Sequence, residues 1–256
     1  MHKLAIILCA TSICVSAQWL DYPTAGIPRL PDGKPNLTAP APRGADGKPD
    51  LSGIWGVPCP VITNEYGGAN GKPNVYCATE IAIPPEFANI GRSLQGGLPY
   101  QPWAAEVVKK TRAANRPNDP MTHCLPPGII RLTVFPLFRK MIQVPGLLVT
   151  LNEQNASYRQ IFTDGRPLPD DPQPSAQGYS TGHWDGDTLV VETTNFMDGA
   201  RGADFREATP NYVLVERFRR TGEGTIDYRF TITDPATWTR PWTAAVPRYL
   251  ELVRVD

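Results

Sequence analysis

Asp185-Gly186 sits between two segments, 179–184 and 187–194, in which polar and apolar residues alternate. An Asp-Gly pair between alternating runs is the strongest short-range sign of a β-hairpin. It constrains the second half of the chain to pair its strands locally. From about Arg131 the same pattern repeats. Segments 138–144 and 147–152 flank Pro145-Gly146, and segment 158–163 ends at Asp164-Gly165. Segments 212–219 and 226–233 flank Gly222-Glu223-Gly224, and 249–255 reads as a last strand. The pattern predicts a mainly β domain over 131–256 with its strands in sequential antiparallel order. A meander of this size must hide its edge strands, and closing into an up-and-down β-barrel does so. The alternative is a β-sandwich, whose Greek-key crossovers would have to use the long connections 164–178 and 195–211.

Residues 18–130 read differently, as a proline-rich segment that wraps the barrel. The chain holds 28 prolines in 256 residues, about twice the average share. Asp32-Gly33-Lys34-Pro35-Asn36, Asp46-Gly47-Lys48-Pro49-Asp50 and Asn70-Gly71-Lys72-Pro73-Asn74 are near copies of one turn. In each, the glycine supplies the left-handed residue and the proline restarts an extended chain. Leu51 to Trp55 predicts a short strand. One helix is expected, about 102–115, with Pro102 in its first turn. Trp103, Val107 and Ala114 should lie along one face, with Ala104 and Val108 beside it.

Residues 1–17 predict a cleavable export signal: a short basic start, an apolar run from Leu4 to Val15, and a small-x-small exit at Ala17. That run is too short to span a bilayer, which takes about 20 residues, and no membrane span is expected. A periplasmic or extracellular location follows, and with it an oxidising compartment. Cys59 and Cys77 make the simplest disulfide, closing a loop of roughly 18 residues worth on the order of 3 kcal/mol. Cys124 is left over and reads as a buried, inert thiol. Twenty-five basic and 25 acidic residues cancel, so nothing points to nucleic acid as a partner.

If 185–186 is a two-residue turn, Trp184 lies opposite Asp187, His183 opposite Thr188, Thr181 opposite Val190, and Tyr179 opposite Glu192. One face then carries Tyr179, Thr181, His183, Thr188, Val190 and Glu192. The other carries Ser180, Gly182, Trp184, Leu189 and Val191, and should meet the core. The first face is the candidate catalytic site: His183 could act as acid or base near neutral pH, oriented by Tyr179 and Glu192. The same face also reads as the wet outside of a half-buried sheet. The usual zinc spacings are absent and no metal is assigned. No cofactor is expected, since no phosphate-cradling glycine loop is visible. Gly178 to Gly182 spells Gly-x-Ser-x-Gly, but a strand and a hairpin follow it instead of the helix that a hydrolase elbow needs. Asp198 and Asp204 lie in the loop 195–211, which could serve as a lid or binding loop. Trp238 and Trp242, spaced by prolines, could line a ligand site or plug a barrel end.

The runs Tyr158-Arg159-Gln160-Ile161-Phe162-Thr163-Asp164-Gly165-Arg166-Pro167-Leu168-Pro169, Gly182-His183-Trp184-Asp185-Gly186-Asp187-Thr188-Leu189-Val190-Val191-Glu192-Thr193 and Glu216-Arg217-Phe218-Arg219-Arg220 resemble a large family of secreted bacterial proteins. Asp50 to Trp55, Cys124 to Gly128, and Asp234 to Thr243 extend the likeness over most of the chain. The resemblance implies export and a lipocalin-like barrel. It implies no reaction and no catalytic residues. Its members tend to carry histidines in the loop before the Glu-Arg-Phe strand, where this chain has none from Asp204 to Asn211.

The combined expectation is a secreted barrel that binds a small apolar or aromatic molecule, with Arg159, Trp184, Trp238, Trp242, Asp198 and Asp204 as ligand-binding residues. The alternatives are an extracytoplasmic hydrolase, lyase or isomerase working through His183, with Arg159 holding an anionic group, and an envelope-associated structural protein.

Overall fold

The structure, a computed structural model, describes residues 28–34, 36, 38–56, 91, 94–114, 120–134, 137–197, 209 and 211–252. The expected leader 1–17, the Cys59–Cys77 pair, the Asn70-Gly71 turn, and Asp198 and Asp204 lie outside these residues.

The described chain is mainly β. Nine strands form one sheet in the order β1 to β9: β1 Gly53–Gly56, β2 Arg139–Val144, β3 Leu147–Asn152, β4 Ser157–Phe162, β5 Tyr179–Asp185, β6 Thr188–Thr194, β7 Val213–Arg220, β8 Thr225–Thr233 and β9 Trp242–Leu252. The sheet curls until β9 meets β1. The strands are not divided between two stacked sheets. The hairpins fall where the turn residues placed them. Gly146 at φ 78° lets β2 fold back on β3, and Gly186 at φ 58° does the same for β5 and β6.

Three expectations need correction. First, β4 and β5 run parallel, paired only at Ile161–Ser180 and Phe162–Thr181, so the sheet is mixed and not antiparallel throughout. The connection 163–178 is long enough to carry the chain back along β4 before β5 begins, and parallel neighbours need such a crossover. Second, the β5–β6 turn is made by Gly186 and Asp187. Asp185 faces Thr188, His183 faces Val190, and Thr181 faces Glu192. The pairing is displaced by two residues along β6, so the face of every side chain is unchanged. Third, the barrel does not begin at residue 131. β1, from the segment expected to wrap, pairs with both β2 and β9 and closes the sheet.

The expected helix is α1, Pro102–Ala113, but it presents a different face. Ala104 is buried while Trp103 and Val107 are exposed, and Trp103 lies flat enough to donate its indole N–H to the Ala236 carbonyl at 2.8 Å. A second short helix, α2, covers Ile129–Val134. Cys124 is exposed, with a free thiol, not buried. No helix among the described residues is long and apolar enough to cross a membrane.

The core is the inside of the barrel. Period-2 alternation turns Met141, Leu148, Ile161, Leu189, Val191, Leu214, Phe218, Ile226, Tyr228, Phe230 and Ile232 inward. Trp55 enters from β1 and donates its indole N–H to the Leu51 carbonyl at 2.9 Å.

Candidate functional site

The residues of the expected catalytic face lie on the outside of the barrel. His183 and Glu192 are exposed and Tyr179 is half-buried. His183 stands opposite Val190, Glu192 opposite Thr181, and Tyr179 opposite Thr194. Tyr179 belongs instead to a surface cluster built by the end of β4. Its ring stacks on Phe162 at 5.4 Å between centroids. The Arg166 guanidinium lies over Phe162 at 4.0 Å and pairs with Asp164 at 2.6 Å. That pairing holds the Asp164 carboxyl below its ordinary range.

Trp238 and Trp242 are inside. Their rings meet edge to face at 5.9 Å. Trp242 continues onto Phe230 at 5.8 Å, and Trp238 onto Tyr212 and Tyr100, both at 6.3 Å. With Trp55, Phe218 and Tyr228 they fill one part of the interior with stacked aromatic side chains. Trp184 faces inward and packs against the edge of this cluster.

The remaining part of the interior is polar, and Arg159 is at its centre. Arg159 shares inward parity with Ile161 on β4 and is 6% exposed. Its guanidinium forks onto the Glu216 carboxylate, with Nη1 donating to Oε1 at 3.1 Å and Nη2 to Oε2. It also donates to the hydroxyls of Ser180 at 3.0 Å and Thr193 at 2.7 Å. Glu216 is fully buried and accepts the Tyr228 phenol at 2.9 Å. Burial, and then the Glu216 charge, push the Tyr228 phenol well above its usual pKa. A buried charge is tolerated only when paired and hydrogen-bonded, and this network meets that requirement.

Arg139 does not meet it as fully. It is 3% exposed, on the inner face of β2. Nη2 donates to the carbonyls of Leu132 at 3.0 Å and Thr133 at 2.6 Å, closing the C-terminal turn of α2. Nε has no hydrogen-bond partner. Burial pushes this guanidinium down to about 10, against the pull of Tyr228 and Glu216. Glu216 is thus paired with Arg159, and Arg139 is held by backbone carbonyls with no ion pair among the described residues.

A recess opens between them. It is lined by Ile129, Leu132, Thr133, Arg139, Met141, Thr150, Asn152, Arg159, Gln177 and Phe218, and none of these is acidic. The Gln177 amide on its wall is buried with neither its nitrogen nor its oxygen bonded. The recess is narrow and open to solvent at its mouth, and its inner part suits about one water.

Of the described residues expected to bind ligand, Arg159 alone lines this recess. Arg139, Gln177, Glu216 and Tyr228 were not anticipated. Counting by twos would have exposed three of them: Glu216 falls between Leu214 and Phe218 on the inward parity of β7, Tyr228 between Ile226 and Phe230 on β8, and Arg139 shares parity with Met141 on β2. No signal pointed to Gln177, which lies in an irregular loop.

Fold and site together define a mainly β, barrel-shaped protein with an aromatic plug and a cationic recess beside it. No family model matches the chain, and neither a curated protein nor a solved structure is similar enough to match it.

Proposed function

We propose that the protein is an exported barrel that binds a small molecule by an anionic head, seated in the recess on Arg139 and Gln177 beside Arg159. One observation carries this reading: the buried Arg139 guanidinium has carbonyl partners but no carboxylate among the described residues, and its unbonded Nε and the unbonded Gln177 amide line a recess whose described walls hold no acid. An entering carboxylate would supply the missing negative charge and accept from Arg139 Nε in a charge-assisted hydrogen bond. Ile129, Leu132, Met141 and Phe218 would meet the apolar remainder of such a ligand. The narrowness of the recess restricts the ligand to a small head, with any larger body left in the mouth. This favours an anionic ligand over the small apolar or aromatic one that the aromatic content first suggested, because those aromatic rings pack against each other.

The test is a thermal-shift and calorimetric comparison of acetate, propionate and benzoate with acetamide and benzamide. Carboxylates should raise the melting temperature and the amides should not. Arg139→Met and Gln177→Leu should each remove the carboxylate effect. Equal responses to acid and amide, or an undiminished response in Gln177→Leu, would sink the reading.

A further inference from the structure

Among the described residues the chain carries two copies of one folded loop, fourteen residues apart, and there only the second grips another part of the chain. The sequences Pro28-Arg29-Leu30-Pro31-Asp32-Gly33-Lys34-Pro35-Asn36-Leu37-Thr38 and Pro42-Arg43-Gly44-Ala45-Asp46-Gly47-Lys48-Pro49-Asp50-Leu51-Ser52 align without a gap. Their hydrogen bonds correspond one to one. Leu30 N–H donates to the Lys34 carbonyl at 2.8 Å, and Gly44 N–H to Lys48 at 2.9 Å. Gly33 N–H bonds Leu30 at 2.9 Å, and Gly47 N–H bonds Gly44 at 3.0 Å. Asn36 and Asp50 close the loops onto Pro28 and Pro42, both at 2.8 Å. Asp32 and Asp46 each accept the N–H two residues on, at 3.1 and 3.0 Å. Arg29 and Arg43 each brace the glycine carbonyl, at 2.7 and 2.8 Å. The glycines share the left-handed region, at φ 84° and 74°. So extensive a correspondence leaves the arginine and lysine of both loops presented at the same spacing.

What the second loop does with them is visible. Arg43 grips the Asp187 carboxylate with both terminal nitrogens, at 2.9 and 2.7 Å, and Lys48 Nζ reaches the Gly186 carbonyl at 3.4 Å. It reads the Gly-Asp step of an exposed β-turn. In the first loop Arg29 and Lys34 are exposed. Among the described residues Arg29 meets no carboxylate, and Lys34 has only its own loop's Asp32 at 3.5 Å.

We propose that the loop 28–38 is a docking tab for an exposed, acidic Gly-Asp β-turn on a partner protein, recognised by Arg29 on the carboxylate and Lys34 on the preceding carbonyl. The pair that models this contact is half exposed, so a single tab binds weakly and gains from any second contact to the same partner.

The probe is a short disulfide-closed hairpin peptide presenting the chain's own turn, residues 183–188, titrated into the isotope-labelled full protein. Backbone amides between 29 and 38 should shift saturably. Arg29→Gln should weaken binding at least tenfold, as should a peptide with Asn in place of the turn's second Asp. Arg43→Gln should bind the peptide as wild type does. No saturation by 10 mM peptide, or a loss in Arg43→Gln with Arg29→Gln unaffected, would overturn the proposal.

Discussion

At the scale of single residues the barrel depends on a buried polar chain in which each member removes a cost set by another. Glu216 would be untenable without Arg159, and Tyr228 donates to the same carboxylate oxygen, Oε1, that Arg159 Nη1 holds. The phenol's raised pKa makes this dependence readable in pH. The unfolded phenol titrates near 10, and the folded one higher. Tyr228 therefore contributes fully below about pH 10, and its contribution is lost as pH climbs from there toward the folded value. Arg139 works in the opposite sense: lowered to about 10, it gives up its proton in the fold before it would in the unfolded chain, and its cost fades with rising pH. Comparing wild type with Tyr228→Phe isolates the tyrosine. The variant should be less stable by about 1–3 kcal/mol at neutral pH, and the gap should narrow above pH 10 in urea unfolding. A gap that widens with pH would contradict the assignment.

At the scale of elements the most constrained point is the entry to β5. Gly178 has φ 64°, and a Cβ there would stand 2.5 Å from the Thr194 carbonyl oxygen and 2.8 Å from Thr193 Cγ2. Gly178→Ala should cost about 2–3 kcal/mol and lower the melting temperature by several degrees, read by calorimetry. An unchanged melting temperature would mean that the approach of the β5 entry to the end of β6 has slack. The hairpins were legible because a Pro-Gly or Asp-Gly turn fixes both the reversal and its place. The direction of β5 against β4 was not, since a long connection encodes no sense of return. The face of α1 was misjudged because Trp103 found an acceptor at Ala236 and had no need of the core. Helix α2 went unread because Ile129-Ile130-Arg131-Leu132-Thr133-Val134 is rich in β-branched residues. What holds it is Arg139, which bonds the carbonyls of its last turn, a contact no local pattern reveals. The same tertiary dependence hid half of the candidate site.

At the scale of the whole molecule the interior is divided between aromatic mass and a cationic recess, and the first sets what can enter. Trp242→Ala should cost about 3–5 kcal/mol and leave an apolar void. A void of that kind stays dry and takes up small aromatic molecules. Indole should therefore stabilise Trp242→Ala in thermal unfolding and leave wild type unchanged. Stabilisation of wild type by indole would show that the plug is not tight.

The seam where Trp55 and Gly56 of β1 pair with Leu252 and Glu251 of β9 joins positions nearly 200 residues apart. Loop closure on that scale is entropically dear and kinetically slow. A chain made from its N-terminus can mate one edge of β1 with β2 early, but the other edge must wait until β9 has been synthesised. Sealing of the ring therefore follows the pairing of the strands between them.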